Sequence, residues 1–432
     1  MKRLVSIFLA VAMLLCLTAC KNTGKPTNLN IIAKPSYPKG IASKDFDTKR
    51  EIRENNPVKE KSINAIKQFS YNTAAAQIMK EIKTNDCFSP LSLYYSLAIA
   101  ATGSKGLTCD ELLNLLSIDN TSELSEQCGN LYRQLYTDNE ISKLKIANSL
   151  WLATEMDGQK IIFKESFIEN AKDHFYSSLF SADFADERTT KAMSEWISEN
   201  TNGRIAPELE VDDNQIMSNL NAVYFYDEWL DRFSVDNTKP DIFQLKNGDS
   251  VTCEFMNMTY PSHNFNRGDG YIQSSLGLKN RGQMVFILPD EGVSLSKLLS
   301  SAETIEELFT QGESKFGEVV WSVPKFSYSS SFDFKDLLKA IGVNSAFSKD
   351  ADFSGITDNT AFFSGVKHET HISIDENGVE ASAFTNIAYA SSAMPEGRAD
   401  MILNRPFIYG ITASNGLLLF VGVCVNPVLG YE

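Results

Sequence analysis

The run 381–395 carries neither a charge nor a glycine, and it belongs to the stretch ENGVEASAFTNIAYASSAMP at 376–395. Alternate positions read Val379, Ala381, Ala383, Thr385, Ile387, Tyr389 and Ser391. The positions between them read Glu380, Ser382, Phe384, Asn386, Ala388, Ala390 and Ser392. Side chains of a strand point to opposite faces with a period of two. The first set therefore forms a mostly apolar face and the second a mostly polar one. By itself the pattern describes an ordinary buried strand. The small residues that open the apolar face also suit a strand that slides into a sheet already packed on that side. Left exposed, so apolar a segment would be an aggregation hazard.

The N-terminus reads as a processing signal. Lys2 and Arg3 precede an apolar run from Leu4 to Leu17, followed by Thr18, Ala19 and Cys20. A charged start, a short apolar core and small residues before a cut make a secretory signal, too short to span a membrane. Cysteine directly after Leu17-Thr18-Ala19 resembles the bacterial lipoprotein box. That resemblance implies that residues 1–19 are removed and that Cys20 carries lipid, the alternative being a plain cleaved signal. Residues 20–60 are polar and rich in Lys, Asn and Pro, and read as a flexible tether that lifts a domain off a membrane. Residues 61–432 have steady composition and no internal repeat, although two domains would be the default for that length. Cys87, Cys109, Cys128, Cys253 and Cys424 are scattered and odd in number, which argues against a disulfide framework. A net charge of -15 argues against a nucleic-acid partner.

Helical spacing or capping marks 72–83, 90–102, 163–172, 189–200 and 334–341. Thr108 with Glu111 has the spacing of a capping box for a helix over 108–116. Strand patterns mark 143–152, 220–226, 284–288 and 318–326. Two further strands, 407–412 and 417–425, flank the hairpin signal Ala413-Ser414-Asn415-Gly416. With helices early and strands late, the class is α+β. The chain has four histidines and no nucleophile elbow, phosphate-binding glycine loop or paired Cys-x-x-Cys. His368 and His371 lack the i, i+4 spacing of a zinc helix, and on a strand they face opposite ways. No metal, cofactor or catalytic residue is assigned, so an enzyme is not expected.

Several runs then occur in a telling order. Cys87-Phe88-Ser89-Pro90-Leu91-Ser92-Leu93 leads to AIAATGSKG at 98–106. Ala147-Asn148-Ser149-Leu150-Trp151 follows, then Trp196-Ile197 with Thr201-Asn202-Gly203-Arg204-Ile205. Asn221-Ala222-Val223-Tyr224-Phe225 comes next with Trp229 and Phe233, then Val323-Pro324-Lys325-Phe326 and Ala351-Asp352-Phe353-Ser354-Gly355-Ile356. Asn404-Arg405-Pro406-Phe407, Phe420-Val421-Gly422 and Asn426-Pro427 close the series. Each run resembles the corresponding stretch of the serpin family, and together they cover 64–427. The resemblance implies a serpin-like fold of roughly nine helices around three β-sheets, with an exposed reactive-centre loop over about 376–398.

By the same resemblance Glu376, Gly378, Val379, Glu380, Ala381, Ser382, Ala383, Phe384 and Thr385 form the hinge. Family spacing from Gly378 puts the cleaved bond between Ser392 and Ala393, with Met394, Tyr389 and Ser391 as alternatives. Ser89, Ser92, Asn221 and His368 match the hydrogen-bonded cluster beneath the sheet centre, where strands part. The expected function is suicide inhibition of serine, or alternatively cysteine, proteases: the acyl-enzyme is trapped as the cleaved loop becomes a new strand. Fourteen such residues would span about 45 Å at roughly 3.3 Å each. The expected target is an elastase- or subtilisin-like protease that accepts small residues. A non-inhibitory binding protein at the surface is the competing reading, and a surface hydrolase is disfavoured by the missing motifs. The protein is expected to be monomeric, extracytoplasmic and held to the membrane by lipid on Cys20. Tyr226-Asp227 departs from the family's Lys-Gly.

Overall fold

The helix Pro90–Gly103, with sequence PLSLYYSLAIAATG, is apolar almost all round and has buried side chains on every face. A helix of that kind belongs in a core. Ser89 starts it: its Oγ accepts from the Ser92 N–H at 3.2 Å, and proline occupies the first turn, where its missing N–H costs nothing. In this computed structural model, which describes residues 31–78, 82–156, 158–212, 215–310, 313–379 and 397–429, the other elements wrap around that helix.

One face of the helix meets a mixed sheet, here the first sheet. Its order is Ile31–Ala33, Ser177–Ala182, Ser142–Ala153, Met217–Glu228, Gly378–Val379, Lys367–Ile374 and Phe326–Asp333, with Thr137–Asp138 off the main path. A second sheet runs Arg398–Ile402, Glu313–Pro324, Ser250–Gly268, Tyr271–Gly277, Gln283–Pro289, Phe407–Thr412, Leu418–Cys424 and Asp86–Phe88, with Lys239–Gln244 beside the long strand. A two-stranded ribbon, Glu155–Met156 with Gln159–Lys160, makes the third. Ten α-helices occur among the described residues. The architecture is the α+β, three-sheet arrangement expected, with one main hydrophobic core and a smaller cluster around Trp151, Phe180 and Trp196. The five cysteines of the described residues are free.

Two local readings are corrected. Residues 31–60 are not a free tether. Ile31–Ala33 pairs with Ser177–Ala182, and Phe46–Asn55 is a helix capped by Asp45. Tyr37 stacks on Tyr136 and Tyr176 at 6.2 and 6.1 Å. Isolated anchors dock this polar segment, and isolated anchors leave no periodic signal. The lipidation expected at Cys20 and the rest of the tether lie outside the described residues.

Thr108 is not an N-cap. The helix begins earlier, at Gly106, and Thr108 instead accepts the Asp352 N–H at 3.0 Å. Glu111 accepts the N–H groups of Asn344 and Ser345, both at 2.8 Å. Tertiary partners took the two side chains that local capping would have used.

The far end of Pro90–Gly103 fits tightly against 352–356. A Cβ on Gly355 would stand 2.7 Å from the Gly103 carbonyl oxygen and 3.0 Å from its carbon. Backbone cannot yield as a side chain can. Gly355→Ala should therefore cost about 1–3 kcal/mol, the range for overpacking. It should appear as a lower urea midpoint at unchanged slope; an unchanged midpoint would contradict the close approach.

Candidate functional site at the mouth and centre of the first sheet

Met217–Glu228 and Lys367–Ile374 are neighbours in two different ways along their length. At the centre they pair directly and in parallel, His368 with Asn221 and Glu369 with Ala222. At the mouth Gly378–Val379 lies between them, pairing with Glu228 and Asp227 on one side and Ile374 on the other. The sheet is thus closed at its centre and occupied by two inserted residues at its mouth.

The four residues expected beneath the centre meet there. The Ser89 N–H donates to His368 Nε2 at 3.1 Å, and Ser92 Oγ donates to Asn221 Oδ1. Asn221 Nδ2 donates to Asn148 Oδ1 at 2.6 Å, and Asn148 Nδ2 to the Phe175 carbonyl at 2.8 Å. Because Nε2 accepts, the neutral His368 ring carries its proton on Nδ1. The ring is buried against Phe88 and Phe334, and burial drives its pKa down to about 3. Asn148 was not singled out from the sequence. The available signal was an amide inside an otherwise apolar strand, since a buried polar group requires partners. Thr370, whose hydroxyl donates to the Cys87 carbonyl, adds a further link beneath the same strand. His371 faces away and bonds Ser329 Oγ at 3.0 Å.

At the mouth, Asp375 makes a turn by accepting the Asn377 N–H at 2.8 Å. Trp229 reads the turn from the other side. Its backbone N–H donates to the Asn377 carbonyl at 3.0 Å and its indole N–H to that of Asp375 at 2.8 Å. Glu376 is buried, 3.0 Å from Lys325 Nζ, and accepts from Thr238 Oγ1 at 2.8 Å. Burial works to raise its pKa, but hydrogen bonds from its own N–H, Lys325 and Thr238 outweigh it and leave the value lowered. Gly378 has no room for a side chain: a Cβ would lie 2.3 Å from the Asp227 carbonyl oxygen and 2.8 Å from Glu228 Cα. Val379 is buried. Of the hinge residues, Glu376, Gly378 and Val379 are placed in this way. Glu380, Ala381, Ser382, Ala383, Phe384 and Thr385 lie outside the described residues, as do Tyr389, Ser391, Ser392, Ala393 and Met394.

The departure at Tyr226-Asp227 finds its setting here. Asp227 is buried opposite Val379 and accepts the Asn280 N–H at 3.3 Å. Burial is the main cause that pushes its pKa up to about 8, opposed by the Asn280 hydrogen bond. Glu228 beside it bonds Lys279 at 2.6 Å and Arg232 at 2.9 Å.

Asp227 and His368 give opposite pH signatures. Asp227 has a folded pKa above its unfolded value near 4, so the stability it supports is whole below about pH 4 and lost as pH rises toward 8. Asp227→Asn should therefore gain on wild type in thermal midpoint between pH 5 and 8; a constant gap would remove the assignment. His368 has a folded pKa below its unfolded value, so its stability is present above about pH 6.5 and lost as pH falls toward 3. His368→Gln keeps an acceptor without the titration. Its stability relative to wild type should rise by up to about 1.4 kcal/mol per pH unit of acidification in that window, and equal acid sensitivity would refute the point.

Comparison with known proteins agrees with this geometry. A family model described as "Serpin (serine protease inhibitor)" matches residues 64–427. The chain is 29% identical over 371 residues to a serine protease inhibitor of Mus musculus, covering 83% of this chain and 87% of that protein. It is 28% identical to "Serpin-ZX" of Arabidopsis thaliana, covering 85% and 98%. The crystal structure of the thermophilic serpin tengpin in its native state superposes with a TM-score of 0.77 at 27% identity, covering 93% of this chain and 100% of that one. Thyroxine-binding globulin in complex with thyroxine shares the fold at 23% identity and a TM-score of 0.72, covering 85% and 99%. The chain belongs to the serpin family of serine protease inhibitors.

Proposed function

We propose that this serpin is a suicide inhibitor of serine proteases that accept small residues, of elastase or subtilisin type. A protease would attack the bond between Ser392 and Ala393 and form an acyl-enzyme. The freed segment would enter the first sheet between Met217–Glu228 and Lys367–Ile374 and take the attached protease with it. One observation carries this reading: Gly378–Val379 already pairs with both of those strands at the mouth, whereas at the centre the same strands pair with each other. Residue 379 ends in the first sheet and Arg398 begins a strand of the second, so the intervening chain joins two sheets. Val379, Ala381, Ala383 and Thr385 would form the inserted face, and none of them brings a charge into the sheet. The native state would be held by a barrier and its lifetime set by a rate. Lipid on Cys20 would keep the domain at the outer side of a membrane, and the inhibitor would act as a monomer.

The test is incubation of the full chain with an elastase- or subtilisin-like protease. A complex that survives SDS, with the released peptide beginning at Ala393 by mass spectrometry, is the expected result. Clean cleavage with no complex would overturn inhibition and leave the reading of a non-inhibitory binding protein. Ala383→Glu should convert the inhibitor into a substrate, because burying an unpaired charge costs several kcal/mol. Undiminished complex formation by that variant would show the face assignment to be wrong.

A further inference from the structure

Between the docked N-terminal segment and the body lies a cavity of about 590 Å³, a size typical of small-molecule sites. Its walls come from distant parts of the chain: residues 41–53, residues 133–141, Leu230 with residues 279–281, and Ser414.

The charge of this cavity runs against that of the molecule. Six cations line it, Lys44, Lys49, Arg53, Arg133, Lys279 and Arg281, and one carboxylate, Glu140. The chain as a whole has a net charge of -15. Glu140 is already engaged by Ser43, and Lys279 is matched by buried Glu228. Lys49 Nζ donates to neutral acceptors, the Ser43 carbonyl at 3.0 Å and Asn280 Oδ1 at 3.2 Å. Arg133 also bonds neutral groups, Asn56 Oδ1 and the Tyr176 hydroxyl. Among the described residues, Lys44, Arg53 and Arg281 form no ion pair. The pKa of Lys49 is lowered, first by burial and then by the charge of Arg281, with the carboxyl groups of Asp227 and Glu140 opposing the shift. Lys44, Arg53 and Arg281 are exposed, so the desolvation falls on Lys49, where a like charge alongside is unfavourable unless an anion answers it.

The remaining walls are apolar. Phe46, Ile52, Ile141 and Leu230 all face the space. Phe46 is 55% exposed, and the Arg281 guanidinium lies over its ring at 5.1 Å. A bare inorganic anion would use the cations and waste these walls. A neutral hydrophobe would do the reverse.

We infer that this cavity binds an amphipathic organic anion, an apolar body ending in a carboxylate or phosphate, with Lys49 and Arg281 holding the head and Phe46 and Leu230 the body. The site does not depend on whether the serpin inhibits a protease.

Isothermal titration calorimetry on the full chain tests it, with decanoate, decyl phosphate, inorganic phosphate and decanol as probes, each below its aggregation concentration. Decanoate or decyl phosphate should bind at one site at least about tenfold more tightly than inorganic phosphate and decanol, and whichever is tighter identifies the head group. The double substitution Lys49→Gln with Arg281→Gln should weaken the tighter probe by about tenfold or more. Because Lys49 also helps to dock the segment, Phe46→Ala serves as the second variant. Its ring is largely exposed, and its loss should weaken the decyl probe while leaving inorganic phosphate unchanged. The proposal fails if neither decyl anion binds, or if inorganic phosphate matches decyl phosphate. It fails equally if decanol matches decanoate, or if both variants bind as wild type does.

Discussion

The structure turns on the buried hydrogen bonds that join Ser89 and the helix Pro90–Gly103 to two neighbouring strands of the first sheet. Ser89 reaches His368 on one strand and Ser92 reaches Asn221 on the other. Asn148 and the Phe175 carbonyl continue the chain of bonds across the neighbouring strand. A buried polar group left without its partner costs about 1–3 kcal/mol, so the strands cannot separate here without a replacement for each bond. On the proposed inhibitory reading, the segment that enters from the mouth would have to supply that replacement. On that reading, the same network would set the height of the barrier to opening the centre.

The mouth is governed by charge and by close approach. Gly378 admits the backbone of Asp227 and Glu228 where any side chain would collide. Glu376 is neutralised by Lys325 beneath it, and Glu228 by Lys279 and Arg232 beside it. Among the described residues Asp227 faces Val379 and accepts from neutral donors, and burial pushes its pKa up to about 8. On the proposed inhibitory reading, these groups lie where a new strand would begin to pair. Lys279 and Asn280 also border the cationic cavity under the N-terminal segment, so the mouth and that cavity share a wall.

Much of this was legible in the residues. Ser89-Pro90 announced a capped helix, and the apolar run behind it announced a buried one. Asn202-Gly203, both at positive φ, mark the helix end that their order suggests. The readings that failed share a physical cause. Thr108 and Glu111 have the spacing of a capping box, but distant backbone groups at Asp352, Asn344 and Ser345 compete for them and win. Residues 31–60 bury too little apolar surface to show a period; their order comes from single contacts such as Tyr37 on Tyr136.

The sequence alone determined the class of the fold, the family, and the places of several helices and of six of the nineteen strands among the described residues, because local periodicity, caps and ordered motifs are properties of neighbouring residues. It also defined the uncharged, small-faced segment after Val379. Only the tertiary structure decided that Asn148 joins Ser89, Ser92, Asn221 and His368, and which atoms of the five meet. The same holds for the pairing of Val379 with Asp227 and for the six cations that share one cavity. Those facts depend on residues tens to hundreds of positions apart. Their partners are chosen by packing and by the need to satisfy buried polar groups; a local trace, such as the amide of Asn148 in an apolar strand, marks that a partner is needed but not which one.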